Sequence, residues 1–336
     1  MGNPKLPDNF DIKKAKNFLL YPSAGIGDSI VFTPAIRNLK KKYPDSNIIV
    51  MTCKRNEAVF KQNPYISSIV PYSVRTFLKY RNKIDVFMDL NIFIREKTFI
   101  LYRILNPKLL LTGYKESVLG LTEKDFSYYR NYKPPREQHT YKTFINYLDF
   151  LNVTDDGKGY DIFLKEDDVI TADKFWEKGK IRILVNLFGA YKVLDKEGVL
   201  YLIRNIYDKF KNKVDFVLTW DEKTKEHIES VTACNSTVRL SYKTNVEQLF
   251  ALVKTADLII SIDTGITHIA SAFSKHQIAF YEQANILGWA PLNKESVTIL
   301  CNTIPGFIGK KKLYKFDQEE ALNKALESLR TIYDLP

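Results

Sequence analysis

Hydrophobic residues along this chain occur in short runs, and segments with helical spacing of apolar positions lie between them. The runs cover 16–21, 46–52, 67–71 and 84–90 in the first half, and 181–188, 214–220, 238–241, 257–263 and 277–281 in the second. Alternation of strand-like runs with helices predicts parallel sheets with crossover helices. Two such series predict two doubly wound α/β domains.

A polar stretch interrupts this pattern near the middle of the chain. It contains Asp155-Asp156-Gly157-Lys158-Gly159, and further acidic residues follow it. A chain of 336 residues with 45% hydrophobic content is expected to divide into two domains. We therefore expect domains at 1–160 and 175–336 with a linker at about 152–178. An amphipathic helix at 317–333 ends the pattern and could pack back on the first domain.

The first predicted strand ends in a glycine-containing corner, Ser23-Ala24-Gly25-Ile26-Gly27-Asp28. Gly25 and Gly27 are expected to supply the permissive backbone conformation of a sharp strand-to-helix turn. Their spacing is G-x-G-D, so the G-x-G-x-x-G fingerprint of a nicotinamide or flavin cofactor is absent. The helix that follows is predicted to restart with Thr33 as its N-cap and Pro34 in its first position.

A second corner follows the apolar run at 258–262, where the chain continues with Asp263, Thr264 and Gly265. Ligands of open α/β sheets bind outside the carboxyl ends of the strands, where a helix N-terminus offers N–H groups and a positive dipole end to an anion. Backbone N–H groups of Thr264 and Gly265 are expected to bind a phosphate. Asp263 is expected to fix the turn or hold a sugar hydroxyl. His268 lies one helical turn further on and either donates to the ligand or is a structural histidine.

Both corners resemble the signatures of a known family. The stretch 25–39, with Tyr43-Pro44 and Asn63-Pro64-Tyr65-Ile66 after it, is similar to the amino-terminal signature of the bacterial heptosyltransferases, glycosyltransferase family 9. The second corner, with Trp289-Ala290-Pro291 beyond it, is similar to that family's donor-site signature. The resemblance implies the GT-B architecture, in which two Rossmann-like doubly wound domains face a central cleft. It also implies that the first domain binds the acceptor and the second binds the nucleotide-sugar donor.

The resemblance also implies roles for single residues. Asp28 matches the aspartate proposed as the general base of the family; the alternative is that Asp28 only caps its helix. Lys192 matches a lysine that pairs with the donor diphosphate, although Lys196 is close enough to compete, and the proline-glycine and tryptophan usual at this corner are missing. Glu222 or Glu226 matches a glutamate that contacts the ribose, and either could be an ordinary surface charge.

The function that the resemblance implies is inverting transfer of a heptose from ADP-heptose to a lipopolysaccharide or lipooligosaccharide core. A family member that uses another donor, such as a UDP-hexose, and a nucleotide-binding protein without catalysis are the alternatives. The scheme requires no cofactor and no metal, since the chain has no D-x-D and its four histidines show no ligand spacing. A basic protein could also bind nucleic acid, but no helix-turn-helix, zinc-finger or RNP motif is present.

The positive net charge of the chain favours an anionic partner. A formal charge of +11 suits an anionic ligand or surface. The runs Lys40–Lys42 and Lys310–Lys312 are interpreted as solvated surface. The segment 75–115 interleaves basic and aromatic residues, which favours contact with anionic lipid headgroups. We therefore expect a peripheral contact with the cytoplasmic face of the inner membrane, where an anionic lipid-linked oligosaccharide would be the acceptor.

Cysteine usage and hydropathy point to the cytoplasm. Cys53, Cys234 and Cys301 are odd in number and far apart, with no C-x-x-C, which argues against a disulfide framework or a zinc site. No run approaches the roughly 20 apolar residues of a membrane span. The first residues lack the apolar core of a signal peptide.

Overall fold

Each half of the chain forms its own parallel sheet with helices packed on it. The computed structural model describes residues 11–22, 25–90, 96–113, 129–132, 137–233, 237–308 and 311–333. The chain divides into two compact units, Met1–Phe163 and Leu164–Pro336. The predicted α/β, doubly wound fold class is confirmed in both units.

The first unit contains a sheet of six parallel strands. Its elements are β1 (Asn17–Tyr21), α1 (Ile26–Lys42), β2 (Asn47–Thr52), α2 (Glu57–Phe60), β3 (Ser68–Pro71), α3 (Val74–Lys79), β4 (Val86–Asp89), α4 (Glu96–Leu105), β5 (Leu109–Gly113), β6 (Tyr129–Tyr132) and α5 (Thr140–Asn146). The strand order is β3-β2-β1-β4-β5-β6, which is the order of the Rossmann fold and reverses between β1 and β4.

The second unit repeats this order and adds strands at one edge. Its elements are α6 (Glu166–Phe175), β7 (Ile181–Asn186), β8 (Lys192–Leu194), α7 (Lys196–Phe210), β9 (Val214–Leu218), α8 (Lys225–Thr232), β10 (Val238–Leu240), α9 (Val246–Thr255), β11 (Leu258–Ile262), α10 (Gly265–Ala272), β12 (His276–Tyr281), α11 (Gln283–Trp289), β13 (Ser296–Ile308), β14 (Lys311–Phe316) and α12 (Gln318–Tyr333). The strand order is β10-β9-β7-β11-β12-β13-β14-β8, and it reverses between β7 and β11.

The central strands are apolar because helices cover both faces of each sheet. All five residues of β9 and of β11 are buried, as are all four of β4. Parallel sheets covered in this way produce continuous apolar runs, which is why the runs in the sequence locate the strands closely. Five of the described strands, toward one end of each sheet, were not predicted: β5 and β6 in the first unit, and β8, β13 and β14 in the second.

The start of α1 differs from the prediction. The helix runs without interruption from Ile26 to Lys42 and contains Pro34, so the predicted restart with Thr33 as N-cap is wrong. Pro34 has no N–H to donate to the Ile30 carbonyl oxygen. The Thr33 hydroxyl donates to that oxygen instead, at 2.7 Å, and the backbone N–H of Asp161 donates to the Thr33 hydroxyl at 2.8 Å. The side chain before the proline therefore replaces the missing donor.

The acidic stretch after α5 is held against α1 by charge. The Arg37 guanidinium is only 2% exposed and forms ion pairs with the carboxylates of Asp156 and Asp161. It also donates to the carbonyl oxygen of Gly159 at 3.0 Å. Two carboxylates and a carbonyl therefore satisfy a buried cation, and the stretch predicted as linker begins as part of the first unit.

The last helix, α12, packs within the second unit. Its apolar face, Ala321, Ala325 and Leu329, is fully buried in the core formed by β7, β9, β11 and α7. Among the described residues, no helix combines the length and the apolarity required to cross a membrane.

Candidate active site

The corner after β11 lies where the strand order of the second sheet reverses. Thr264 caps α10, and its side-chain oxygen accepts from the Ile266 N–H at 3.3 Å. Asn186, the last residue of β7, donates to the Thr264 hydroxyl oxygen at 3.3 Å and to the Ser261 hydroxyl oxygen at 3.1 Å. The two strands at the reversal are thus joined by a buried polar network. The cap takes the Ile266 N–H, and the Thr267 N–H donates to the Thr264 carbonyl oxygen at 3.1 Å, so the positive end of α10 would face an anion at Thr264 and Gly265.

Lys192 reaches this corner from the start of β8, the edge strand that pairs with β14. Its ammonium group forms an ion pair with the Asp263 carboxylate, which is 8% exposed and also accepts from the Asn285 amide at 3.0 Å. Lys196, the competing candidate, donates instead to the Ser230 hydroxyl at 3.2 Å. The structure therefore brings Lys192, and not Lys196, to the Asp263–Thr264 corner.

A tight hairpin carries Lys192. The Gly189 N–H donates to the Lys192 carbonyl oxygen at 2.9 Å, so Ala190 and Tyr191 form the turn. A Cβ atom at Gly189 would lie 2.9 Å from Cγ2 of Thr264, which is closer than side chains normally approach. Glycine at this position therefore lets the hairpin pack directly on the cap of α10.

The remaining predicted donor residues differ in exposure. His268 is 3% exposed and packs edge-on against Trp289 with ring centroids 5.9 Å apart. Glu222 is exposed and pairs with Lys243 at 2.5 Å, and Glu226 is exposed in the first turn of α8. The contacts described for Glu222 and Glu226 do not connect either residue to the Lys192–Asp263 pair. The predicted contacts of a glutamate with the ribose, and of Asp263 or His268 with donor hydroxyls, stay predictions.

The interpretation of the second lysine run as solvated surface is wrong for two of its residues. Lys311 donates to the carbonyl oxygens of Gly189 and Ala190 at 2.5 and 3.1 Å, which fixes the hairpin that carries Lys192. Lys312 forms an ion pair with Glu282 at 2.9 Å. Lys310 lies outside the described residues.

The first corner is built around Asp28 in the first turn of α1. A side chain at Gly25 would collide with the Asp28 carboxylate, which occupies that space. The φ of Gly25 is −89°, which any residue adopts, and Gly27 lies within the helix. The expectation that these glycines supply unusual backbone angles is wrong, because the requirement at Gly25 is space. Ser23 and Ala24 lie outside the described residues.

Two effects oppose each other on the Asp28 carboxyl group. Burial raises the pKa of Asp28 above its ordinary value of 3.8, while hydrogen bonds from the backbone N–H groups of Asp28 and Gly25 and the charge of Arg55 act in the opposite direction. The net effect is a raised pKa. Asp28 therefore contacts the start of its helix, as a cap would, and is also a stronger base than an exposed aspartate.

Sequence reasoning missed two polar residues of this corner. Asn56 is fully buried, and its amide donates to the Gly25 carbonyl oxygen at 3.2 Å and to the Ser29 hydroxyl at 3.1 Å. Asp89 ends β4 beside Tyr21 of β1 and accepts a hydrogen bond from the hydroxyl of Tyr102. Asp89 could have been found as a polar residue that ends an apolar run at the strand-order reversal. No local pattern marks Asn56, because its partners come from a distant segment.

Within the residues that the structure describes, no three side chains of His, Cys, Asp or Glu are grouped as a metal ion would require. The positive charge at the second corner comes from lysine side chains and the start of α10.

Comparisons with known proteins agree with this arrangement. The model of glycosyltransferase family 9 (heptosyltransferase) matches residues 204–318. The lipopolysaccharide core heptosyltransferase OpsX of Haemophilus influenzae is 22% identical over 289 residues, which cover 83% of this chain and 82% of that protein. A family 9 glycosyltransferase structure from Veillonella parvula has a TM-score of 0.76 at 18% identity and covers 94% of this chain and 97% of its own. For the Escherichia coli ADP-heptose lipopolysaccharide heptosyltransferase II, the TM-score is 0.70 at 15% identity, and the coverage is 94% and 98%.

The solved structures inform the fold, and the family model and the curated relative inform the family. The solved structures establish the fold, since both chains cover nearly the whole of this one. The family model covers β9 to β14 and the Asp263–Thr264–Gly265 corner but begins after β7 and Lys192, and the curated relative extends the similarity over most of the chain. The chain is similar to glycosyltransferase family 9, the heptosyltransferase family, and these similarities indicate a glycosyltransferase built from two Rossmann-like units of the GT-B type.

Proposed function

We propose that this protein is an inverting, metal-independent glycosyltransferase that moves a heptose from ADP-heptose to a lipopolysaccharide or lipooligosaccharide core. The observation that carries the proposal is the meeting of Lys192 with the Asp263–Thr264–Gly265 corner at the strand-order reversal of the second unit. The names of the relatives add support, since one is a core heptosyltransferase and another is named for ADP-heptose.

The second unit binds the donor in this proposal. Backbone N–H groups of Thr264 and Gly265 and the ammonium group of Lys192 face the diphosphate, which carries negative charge and gains more as the sugar departs. His268 and Asp263 hold donor hydroxyls or the turn, and Glu222 contacts the ribose. Fixed positive groups of this kind can neutralise the leaving diphosphate without a metal ion.

The first unit supplies the acceptor site and the base. Asp28 takes the proton of the acceptor hydroxyl, and the oxygen attacks the anomeric carbon on the side opposite the diphosphate. The bond from that carbon to the diphosphate oxygen breaks, and its electron pair leaves with the nucleoside diphosphate. Burial supports this role, because it raises the pKa of Asp28 and so makes the carboxylate a better proton acceptor.

Contact with the membrane is part of the proposal. The short helix α3 exposes the apolar side chains of Val74 and Leu78, which are 57% and 54% exposed. Arg75 and Lys79 are exposed on the same helix, and Arg81 follows it. An apolar surface bordered by cations suits the headgroup region of an anionic bilayer, on the cytoplasmic face where a lipid-linked acceptor would be presented. Residues 91–95 and 114–115 of the predicted basic segment lie outside the described residues.

A ligand-dependent melt followed by a transfer assay tests the reaction. ADP is expected to raise the melting temperature of the protein, and UDP and an oligonucleotide are expected not to. Incubation with ADP-heptose and heptose-deficient core acceptor is expected to add the mass of one heptose. Substitution Lys192→Met is expected to weaken ADP binding about tenfold or more, because it removes a charge-assisted contact to phosphate.

Lys196→Met is the matched control, since it removes an equal charge four positions away. Equal losses in the two variants would contradict the assignment of Lys192. Stabilisation by UDP alone would indicate that the donor is a UDP-sugar and not ADP-heptose. Nucleotide binding without formation of product would contradict the transfer reaction.

A further inference from the structure

Five polar side chains form a connected network at the carboxyl edge of the second sheet. Lys192 is paired with Asp263, and Asn285 donates to Asp263 at 3.0 Å and to Glu282 at 3.3 Å. The Lys312 ammonium group in turn donates to both carboxylate oxygens of Glu282, at 2.9 and 3.2 Å. Two lysines are thus neutralised by two carboxylates, and one amide links the two ion pairs.

Topology places the two lysines side by side. Strands β8 and β14 are parallel, and Lys192 and Lys312 are direct partners in their register. Partners in a sheet project to the same face and lie within reach of one another. Strand β14 runs antiparallel to β13, so its first residues lie at the edge where the parallel strands end. The Lys192 ammonium also lies 6.0 Å from the ring of Tyr314, which shares a strand face with Lys312.

The two lysines and the two carboxylates of this network balance one another's charge. Burial would raise the pKa of Glu282, but the hydrogen bond and charge of Lys312 lower it below its ordinary value, with smaller contributions from Tyr314 and Lys192. Glu282 is therefore ionised at neutral pH. A diphosphate that approached this edge would meet two carboxylates unless the lysines turned from the carboxylates toward it.

We propose that Lys312 is a second diphosphate-binding residue of the donor site, and that Glu282 holds it in position until the donor arrives. This inference rests on the proposed function, because it assumes that a nucleoside diphosphate binds beside Lys192. Two adjacent ammonium groups can neutralise a diphosphate that one group cannot, and each exchanges a carboxylate oxygen for a phosphate oxygen. Glu282 acts through Lys312 and is a positioning residue.

Calorimetric titration with ADP, or with UDP if that nucleotide is the one bound, tests the role of Lys312. Lys312→Met is expected to weaken binding about tenfold or more, while adenosine or uridine, which lacks phosphate, binds unchanged. The slope of log affinity against log salt concentration is also expected to fall, since one fewer cation contacts the ligand. Lys312→Arg is expected to keep most of the affinity because it keeps the charge.

Lys315→Met is the matched control, since Lys315 is exposed on the same strand and projects to the opposite face. It is expected to leave the affinity and the salt dependence unchanged. Equal affinity of wild type and Lys312→Met for the diphosphate, or an equal loss in Lys315→Met, would overturn the inference. If Lys312→Met fails to fold, Lys312→Gln is titrated in its place against the same expectation.

Glu282→Gln tests the second part. Removal of the carboxylate charge while a hydrogen-bonding side chain is kept should strengthen diphosphate binding several-fold, because the competitor for Lys312 is lost. Unchanged or weaker binding would overturn the role of Glu282. The two levels of failure are distinguishable: wild type that binds no nucleoside diphosphate refutes the proposed function, whereas normal binding that depends on Lys192 but not on Lys312 refutes only this inference.

Discussion

Each of the two corners depends on a glycine that leaves space for a neighbouring side chain. At Gly25 the space is filled by the Asp28 carboxylate, and at Gly189 it is filled by the methyl group of Thr264. Neither glycine has a positive φ in the structure. Close packing against Asp28 and Thr264 therefore explains why glycine occupies both positions. Single substitutions at the two corners test the role of each functional group.

The raised pKa of Asp28 predicts that substitution of this residue lowers the activity but raises the stability of the folded protein. Asp28→Asn is expected to lower the transfer rate by about 10²- to 10⁴-fold, as loss of a general base does. Because the folded protein holds the Asp28 proton more tightly than the unfolded chain, this group's contribution to stability falls as pH rises from about 3.8 through the raised pKa. The neutral asparagine removes that penalty, so the melting temperature at pH 7 is expected to rise.

Glu57→Gln, which neutralises an exposed first-turn carboxylate of α2, is the control and should change neither quantity. In the wild type, the transfer rate is expected to fall on acidification at a higher pH than an ordinary aspartate would produce. A lower melting temperature with retained activity in Asp28→Asn would show that Asp28 serves only as a cap.

The close contact between Gly189 and Thr264 predicts that Gly189→Ala weakens nucleotide binding and that a second substitution at Thr264 restores it. Gly189→Ala places a Cβ atom 2.9 Å from Thr264 Cγ2, so the hairpin that carries Lys192 must shift. Overpacking of this kind costs about 1–3 kcal/mol, and the affinity for the donor nucleotide is expected to fall by about tenfold. The double variant with Thr264→Ser, which removes Cγ2 but keeps the capping hydroxyl, should recover most of it. Titration that finds no recovery would contradict this explanation.

At the level of elements, α1 shows how a proline is accommodated inside a helix. The Thr33 hydroxyl supplies the hydrogen bond that the nitrogen of Pro34 cannot, and it also accepts from the Asp161 N–H. Arg37, one turn further on, forms ion pairs with Asp156 and Asp161. The helix and the acidic stretch after α5 therefore stabilise each other through a hydroxyl and a buried cation.

A double-mutant cycle tests the role of Thr33. Thr33→Val keeps the shape of the side chain but leaves the Ile30 carbonyl oxygen and the Asp161 N–H without their partner, which is expected to cost about 1–3 kcal/mol. Pro34→Ala restores a backbone donor to Ile30, so the cost of Thr33→Val is expected to be smaller in that background. Thermal or urea unfolding of the four proteins measures the coupling. If Thr33→Val costs the same stability in both backgrounds, the Thr33 hydroxyl does not replace the backbone donor that Pro34 lacks.

For the whole molecule, the formal charge of +11 suggests attraction to an anionic surface. The charge is not spread evenly, because 72–84 contains four cations and no carboxylate. The same segment exposes Val74 and Leu78. The exposed apolar side chains next to exposed cations distinguish α3 as a candidate membrane-binding surface.

Vesicle flotation tests this surface. The protein is expected to bind vesicles that contain phosphatidylglycerol, to bind pure phosphatidylcholine weakly, and to be released between about 0.1 and 1 M salt as the Debye length shortens. Leu78→Glu is expected to abolish binding. Ile170→Glu, at an apolar residue of α6 that is 42% exposed, is the control and should bind normally. Equal effects of the two substitutions would contradict a specific role for α3.

The sequence by itself determined the fold class, the positions of the central strands, and the polar residues that end two of them. These features are local, because a strand buried on both faces is a continuous apolar run and its last residue is where polarity returns. Asp263 and Thr264 could be selected for that reason, whereas Asp28, in the first turn of the helix after β1, was selected through the family resemblance. The family resemblance then assigned them roles that composition and spacing alone left open.

Only the tertiary structure decided which side chains share a site. Lys311 contacts the hairpin at Ala190 across 121 positions of sequence, and Lys312 lies beside Lys192 because β14 pairs with β8. No local pattern encodes such pairing, so a lysine run that resembles ordinary surface is part of the surroundings of Lys192. In α1 the Thr33 hydroxyl replaces the missing donor locally, and the tertiary structure adds the Asp161 N–H, which donates to the same hydroxyl.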